Sequence, residues 1–208
     1  MKKNEKTIES RINPIFPTPV YTSNLKRKFS KKEIDYILSS KENVNINEGN
    51  ITSKNNYVLQ NKIFDDINLF LDVSIKNYFN QIIDPLYKIE PYITQSWLNF
   101  TKKNQYHHSH THPNSIVSGV LYIKTNEDNI CFLKSGGYEI AIEPKNFNIF
   151  NTYQCSFEVS EGDLILFPSK LNHKVENKKL EGERISLAFN VFVKGVLGSN
   201  ERLTELIL

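Results

Sequence analysis

The chain has 208 residues, 39% hydrophobic and 24% charged, with net charge +3, two Cys, eight Gly and eight Pro. That length fits one domain around a sizeable core, and 13 Phe with 10 Tyr supply the large side chains for it. Balanced charge and plentiful aromatics exclude wholesale disorder, and the low Gly, Pro and Cys counts exclude collagen-like and disulfide-scaffold classes.

Charge is unevenly placed. Residues 1–32 carry nine Lys or Arg against Glu5 and Glu9, which gives +7 there and leaves −4 for the rest. This arm reads as a solvated tail; the body does not interleave basic and aromatic residues as a nucleic-acid surface does. Cys131 and Cys155 stand alone, no apolar run follows the charged start, and no stretch approaches the ~18 apolar residues of a membrane span. A soluble protein of a reducing cytoplasm is expected, with both thiols as small core residues.

Residues 1–12 read as a flexible tail. Ile15 to Tyr21, punctuated by Pro17 and Pro19, reads as an extended edge segment. Ser30 with Glu33 forms a capping box for a short helix to about Ser39, and the Asn-, Ser- and Glu-rich stretch 40–56 reads as a loop. From Leu59 to Ile83, Ile63, Ile67, Phe70, Leu71, Ile75, Tyr78, Phe79 and Ile82 recur at helical spacing, which predicts one amphipathic helix against a sheet.

The period then changes. Apolar, β-branched runs at 92–100, 116–124, 129–134, 138–142, 154–159, 163–168, 173–177 and 184–193 are separated by turn signals such as Glu161-Gly162-Asp163. Eight short strands at that spacing predict a jelly roll, so the class is α+β and β-dominated. The expected layout is one domain: residues 13–84 form an N-terminal segment with helices, 85–195 the jelly-roll core and 196–208 a C-terminal extension. Pro113, Gly119 and Pro168 read as positions where strands end or bend.

Four of the five histidines, His107, His108, His110 and His112, fall within six residues; His173 is the fifth. On an extended strand alternate residues share a face, so His108, His110 and His112 can point one way while His107 points away. Two imidazoles at i and i+2 with one from a distant strand can occupy one face of a metal, as in non-haem iron oxygenases, where a carboxylate is usually the third ligand. Eleven residues after His173, Arg184 stands two residues before Ser186, a guanidinium fork and a hydroxyl on one strand face suited to gripping a carboxylate. The plainer reading of Arg184 is a salt bridge to Glu181 or Glu183.

These pieces resemble, in order, the double-stranded β-helix 2-oxoglutarate/Fe(II)-dependent oxygenases, and more narrowly an oxygenase family common in phages and marine bacteria. The resemblance rests on Ile15-Phe16-Pro17-Thr18-Pro19-Val20, Ser96-Trp97-Leu98-Asn99, His110-Thr111-His112-Pro113-Asn114-Ser115, Ser118-Gly119-Val120-Leu121-Tyr122, Phe167-Pro168-Ser169 through His173, and Arg184 through Asn190. It implies a distorted, cupin-like jelly roll holding Fe(II), with 2-oxoglutarate as cosubstrate and O2 as oxidant. His110 and His173 match the two histidine ligands, and Arg184 with Ser186 the pair that grips the cosubstrate's distal carboxylate. Tyr122 and Asn99 are additional cosubstrate contacts or packing residues.

One position departs from the superfamily pattern. His112 stands where the pattern has Asp or Glu, which leaves the centre one negative charge short and favours softer metals such as Zn, Ni or Cu over Fe(II). The leading expectation is an oxygenase that hydroxylates its substrate and releases succinate and CO2. Two alternatives stay open: a three-His cupin-type dioxygenase without 2-oxoglutarate, and a non-catalytic metal- or 2-oxoglutarate-binding phage protein. The substrate (protein side chain, nucleobase or small metabolite) is expected to meet residues 40–56 and 125–153 and the N-terminal region; the long helix leaves a homodimer open.

Overall fold

The computed structural model describes residues 9–136 and 142–208. An edge strand β1 (Tyr21–Asn24) leads into helix α1 (Lys31–Ser39), which opens with the capping box: Glu33 donates its backbone N–H to the Ser30 hydroxyl, and Ser30 donates its own to the Glu33 carboxylate. A hairpin of β2 (Val44–Ile46) and β3 (Ile51–Ser53) follows, then helix α2 (Asp65–Tyr78). The remaining strands are β4 (Ile89–Thr101), β5 (His107–His110), β6 (Val117–Lys124), β7 (Asp128–Leu133), β8 (Gln154–Val159), β9 (Asp163–Pro168), β10 (His173–Val175), β11 (Arg184–Leu197) and β12 (Leu206–Ile207).

They form two sheets. The larger runs β1-β9-β6-β11-β4-β3-β2, with β12 on the end of β11, and the smaller runs β5-β10-β7-β8; every pairing within them is antiparallel. Strand alternation sorts the apolar side chains into two cores. On the outer face of the large sheet, Leu98, Phe100, Leu121, Leu164, Leu166, Leu187 and Phe189 pack against Phe64, Ile67, Leu71, Ile75 and Tyr78 of α2 and its flanks. On the inner face, Tyr122, Ile165 and Phe167 meet Ile130 and Phe132 of the small sheet. The jelly roll with buttressing helices is therefore the expected architecture, and the site lies between the sheets.

Several expectations are corrected. The single helix from Leu59 to Ile83 is broken: 3-10 turns span Val58–Gln60 and Lys62–Phe64, divided by extended Asn61 (ψ 126), whose side chain takes the Ile63 N–H. α2 proper ends in a π turn, Phe79–Ile83, closed by left-handed Asp84. The 40–56 stretch is not a bare loop, because β3 adds to the edge of β4. The run 138–142 falls, but for Ile142, outside the described residues, and Ile142 lies outside any strand. Cys131 is buried as expected, but Cys155 is exposed because β8 is a sheet edge. Gly119 neither ends nor bends a strand. It sits mid-β6 opposite Phe189, where a Cβ would lie 2.2 Å from the ring's Cζ.

Candidate active site

Antiparallel register assembles the inner wall. Ser186 on β11 pairs with Asn99 on β4 and Tyr122 on β6, so these three side chains form one row across three strands. Arg184, two residues away on the same face, is 2% exposed and donates from Nη2 to the Thr101 hydroxyl at 3.1 Å. The next row inward is Val120, Ala188 and Trp97. All four cosubstrate candidates, Arg184, Ser186, Tyr122 and Asn99, therefore line one cavity together with His110, His112 and His173.

The histidines arrive by two routes. His173 begins β10 and pairs across the strand with His110. His112 lies beyond the end of β5, in a loop whose turn residue Asn114 has φ 55 and whose His112 N–H donates to the Ser169 carbonyl at 2.9 Å. Ser169 is fixed in turn: its hydroxyl lies 2.8 Å from that of Ser118 and donates to Ser115 at 2.7 Å, while Ser118 also donates to Asn190 Oδ1.

Simple alternation along β5 fails. His173 and Val175, two apart on β10, oppose His110 and His107, three apart on β5. The extra residue is a β-bulge, and it flips the parity of what precedes it. His107, expected to point away, lines the cavity with its ring stacked 4.4 Å from His110. His108, expected on the ligand face, does not line it, and its Nδ1 is buried without a partner.

Hydrogen bonds fix which nitrogens are free. His110 Nδ1 donates to the His108 carbonyl at 2.8 Å, and His173 Nδ1 to that of Leu171 at 3.0 Å, so both carry unprotonated Nε2 atoms. His112 Nε2 faces His173 Nε2 at 3.3 Å. Metal–nitrogen bonds of about 2.1 Å put two ligand atoms about 3.0 Å apart at a right angle and about 3.4 Å apart at the tetrahedral angle, so this spacing suits a shared ion. Ligand atoms of His110, His112 and His173 all lie within 4.8 Å of one another. Burial, reinforced by neighbouring histidines, pushes His112 down to about 4 and His173 to about 3; burial likewise lowers His110. All three are therefore neutral, as metal ligation requires.

Opposite them stands Arg184, a cation that no carboxylate among the described residues pairs. Glu181 pairs with Lys103 and Glu183 with Lys41, so neither serves Arg184. Asp128 is engaged by Lys178 at 3.1 Å. Among the described residues, Arg184 Nη1 and Asn99 Oδ1 are buried with no hydrogen-bond partner. A guanidinium cannot shed its proton to escape burial, so an unfilled donor here is a place for an anion. The salt-bridge reading of Arg184 does not hold. The cavity is tight, about 30 Å³ being open to the centre of a water-sized sphere, so a five-carbon diacid requires lining side chains to swing aside.

Residues 95–190 match the family described as "Putative 2OG-Fe(II) oxygenase". No curated protein sequence matches the chain. Among solved structures, HygX from Streptomyces hygroscopicus with nickel and 2-oxoglutarate bound is 14% identical at TM-score 0.54, over 84% of this chain and 82% of that one. A 2OG-Fe(II) oxygenase family oxidoreductase from Burkholderia pseudomallei is 15% identical at TM-score 0.52, over 82% and 83%. A Pseudomonas putida prolyl-4-hydroxylase is 13% identical at TM-score 0.50, over 83% and 92%. At these identities the structures establish the fold. The family match spans residues 95–190, from β4 into β11, and the register joins its motifs around one cavity.

Proposed function

We propose that the protein is a 2-oxoglutarate- and Fe(II)-dependent oxygenase that hydroxylates a substrate presented at an apolar groove, with release of succinate and CO2. The observation that carries this reading is the buried Arg184 guanidinium, its Nη1 unpartnered, in one cavity with three neutral imidazoles whose free nitrogens converge. His110, His112 and His173 would hold the iron; Arg184 and Ser186, flanked by Asn99 and Tyr122, would hold the cosubstrate's distal carboxylate. Iron and 2-oxoglutarate, when bound, would supply the O2 activation that hydroxylates the substrate and yields succinate and CO2. The chain orients those groups with the Ser115–Ser118–Ser169 network under the His112 loop and excludes water with Phe132 and Phe167, packed against His173.

The substrate side is read from a groove of about 790 Å³ between the segment that leads into β1 and the edge strand β8. Ile15 and Phe16 of the N-terminal segment and Ile149 and Phe150, between β7 and β8, wall it, and Leu171, whose carbonyl holds His173, borders it. Its one lysine, Lys134, is engaged by the Phe150 carbonyl, so the groove suits an uncharged, apolar group. Among the described residues no helix is long and apolar enough to cross a membrane, and the two free thiols support a reducing compartment.

A second reading has its own observation: His112 gives an all-nitrogen donor set, as in a three-His dioxygenase, but that leaves Arg184 without a task. One anaerobic experiment separates the two. Fe(II) and 2-oxoglutarate added to metal-stripped protein should produce the visible iron-to-cosubstrate charge-transfer band, lost in Arg184→Ala and in His173→Ala. O2 uptake without 2-oxoglutarate, and no band, would favour the three-His reading.

A further inference from the structure

His107 is the imidazole in the cavity that the proposed iron centre leaves unused. The bulge in β5 turns it inward, and a second element holds it there. Asn47, in the turn of the β2–β3 hairpin, offers Nδ2 to His107 Nε2 at 3.2 Å and to Asn50 Oδ1 at 2.9 Å. The amide nitrogen has two hydrogens, and these two acceptors use both. His107 Nε2 is therefore the acceptor nitrogen, and the ring proton sits on Nδ1. The hairpin turn is itself latched to the strand, since Tyr106 N–H donates to the Gly49 carbonyl at 3.0 Å.

This arrangement decides between two uses of the ring. His107, His108 and His110 also bring ligand atoms within 4.8 Å of one another, so a second metal site sharing His110 is geometrically open. Yet His107 Nε2 is occupied by Asn47, and His110 Nδ1 is bonded to the His108 carbonyl. What His107 carries instead is a single N–H donor, on a ring that lines the same cavity as the Arg184 guanidinium.

We propose that His107 is a further binding residue for the 2-oxo acid cosubstrate, its Nδ1–H donating to a carboxylate oxygen of that anion alongside the Arg184 fork. The assignment rests on the oxygenase reading above. Asn47 is a positioning residue: it sets the tautomer that leaves the donor available.

The test is anaerobic titration of metal-loaded protein with 2-oxoglutarate, read by the charge-transfer band, after separate titration with Fe(II) alone. His107→Leu removes the donor at similar bulk; His107→Gln restores an N–H. The expected result is unchanged Fe(II) affinity in both, 2-oxoglutarate affinity about 10- to 100-fold weaker in His107→Leu, the loss of one hydrogen bond to a charged group, and recovery to within a few fold in His107→Gln. Wild-type affinity in His107→Leu would overturn the proposal, as would a Gln variant as weak as Leu, which marks a merely structural ring. Lost Fe(II) affinity in His107→Leu would make His107 a metal ligand and overturn it too. If the wild type itself gives no band, the oxygenase reading fails with it; normal wild-type binding with an unaffected Leu variant sinks this assignment alone.

Discussion

Replacing Arg184 with Met should move stability and ligand affinity in opposite directions. In the cosubstrate-free protein the guanidinium is 2% exposed and Nη1 bonds to nothing. Leaving a buried charged donor unsatisfied costs about 1–3 kcal/mol. Met fills a similar volume without that demand, while Thr101 loses its hydrogen bond from Nη2, worth about 1 kcal/mol. The net is a gain of about 1 kcal/mol, or a rise in Tm of about 2–4 °C for a domain of this size. With 2-oxoglutarate and Ni(II) at about 100 times Kd, the wild type should gain about 2.7 kcal/mol and roughly 5–11 °C, whereas Arg184→Met should gain almost none of the cosubstrate's share. Thermal unfolding with metal alone and with metal plus 2-oxoglutarate measures both effects. An Arg184→Met protein less stable than wild type without ligand, yet still stabilised by 2-oxoglutarate, would refute the claim that this cation waits for an anion.

Three further outcomes follow from the same contacts. His112→Asp restores the missing negative charge, so Fe(II) affinity measured by anaerobic titration should rise while preference for Ni(II) or Zn(II) over Fe(II) falls. Gly119→Ala places a methyl 2.2–2.7 Å from Phe189 and Leu166 in a fully buried core, and denaturant unfolding should show a loss of about 1–3 kcal/mol. Lys178→Met strands the buried Asp128 carboxylate and should cost about 3–5 kcal/mol, whereas the double variant Lys178→Met with Asp128→Leu should return close to wild type.

How much of this was legible in the sequence depends on where strands keep a strict period. β8 and β9 fall on the predicted runs because Gly162, at φ 87, closes the turn between them as Glu-Gly-Asp announced. β2 and β3 lie in an Asn- and Ser-rich stretch whose apolar alternation is only Val44-Asn45-Ile46 and Ile51. They are strands because β3 pairs with the edge of β4 and β2 pairs with β3, more than so short a local signal announces. α2 starts late for a local reason, Asn61, whose side chain competes with the helix for the Ile63 N–H. Cys155 looks like a core residue by type, and only the strand order reveals it as an edge position.

The same distinction divides the site. Arg184, Ser186, Tyr122 and Asn99 could be placed on one face because β4, β6 and β11 are regular there, apart from a shift between Ile185 and Ser186 that leaves the row intact. His110 and His173 lie on the other sheet, where they face each other as cross-strand partners of β5 and β10. His107 and His108 exchange roles because β5 is four polar residues long and bulged, so no hydrophobic alternation marks which side chain faces the cavity. His112 reaches its neighbours through a loop pinned to Ser169, so the i and i+2 spacing that grouped it with His110 is not the geometry that brings it there. A histidine-rich strand thus names the chemistry of a site from its composition. Which of those histidines face the cavity is written in one extra backbone residue of β5, and the tautomer of His107 in the hydrogen bond from Asn47, sixty positions away.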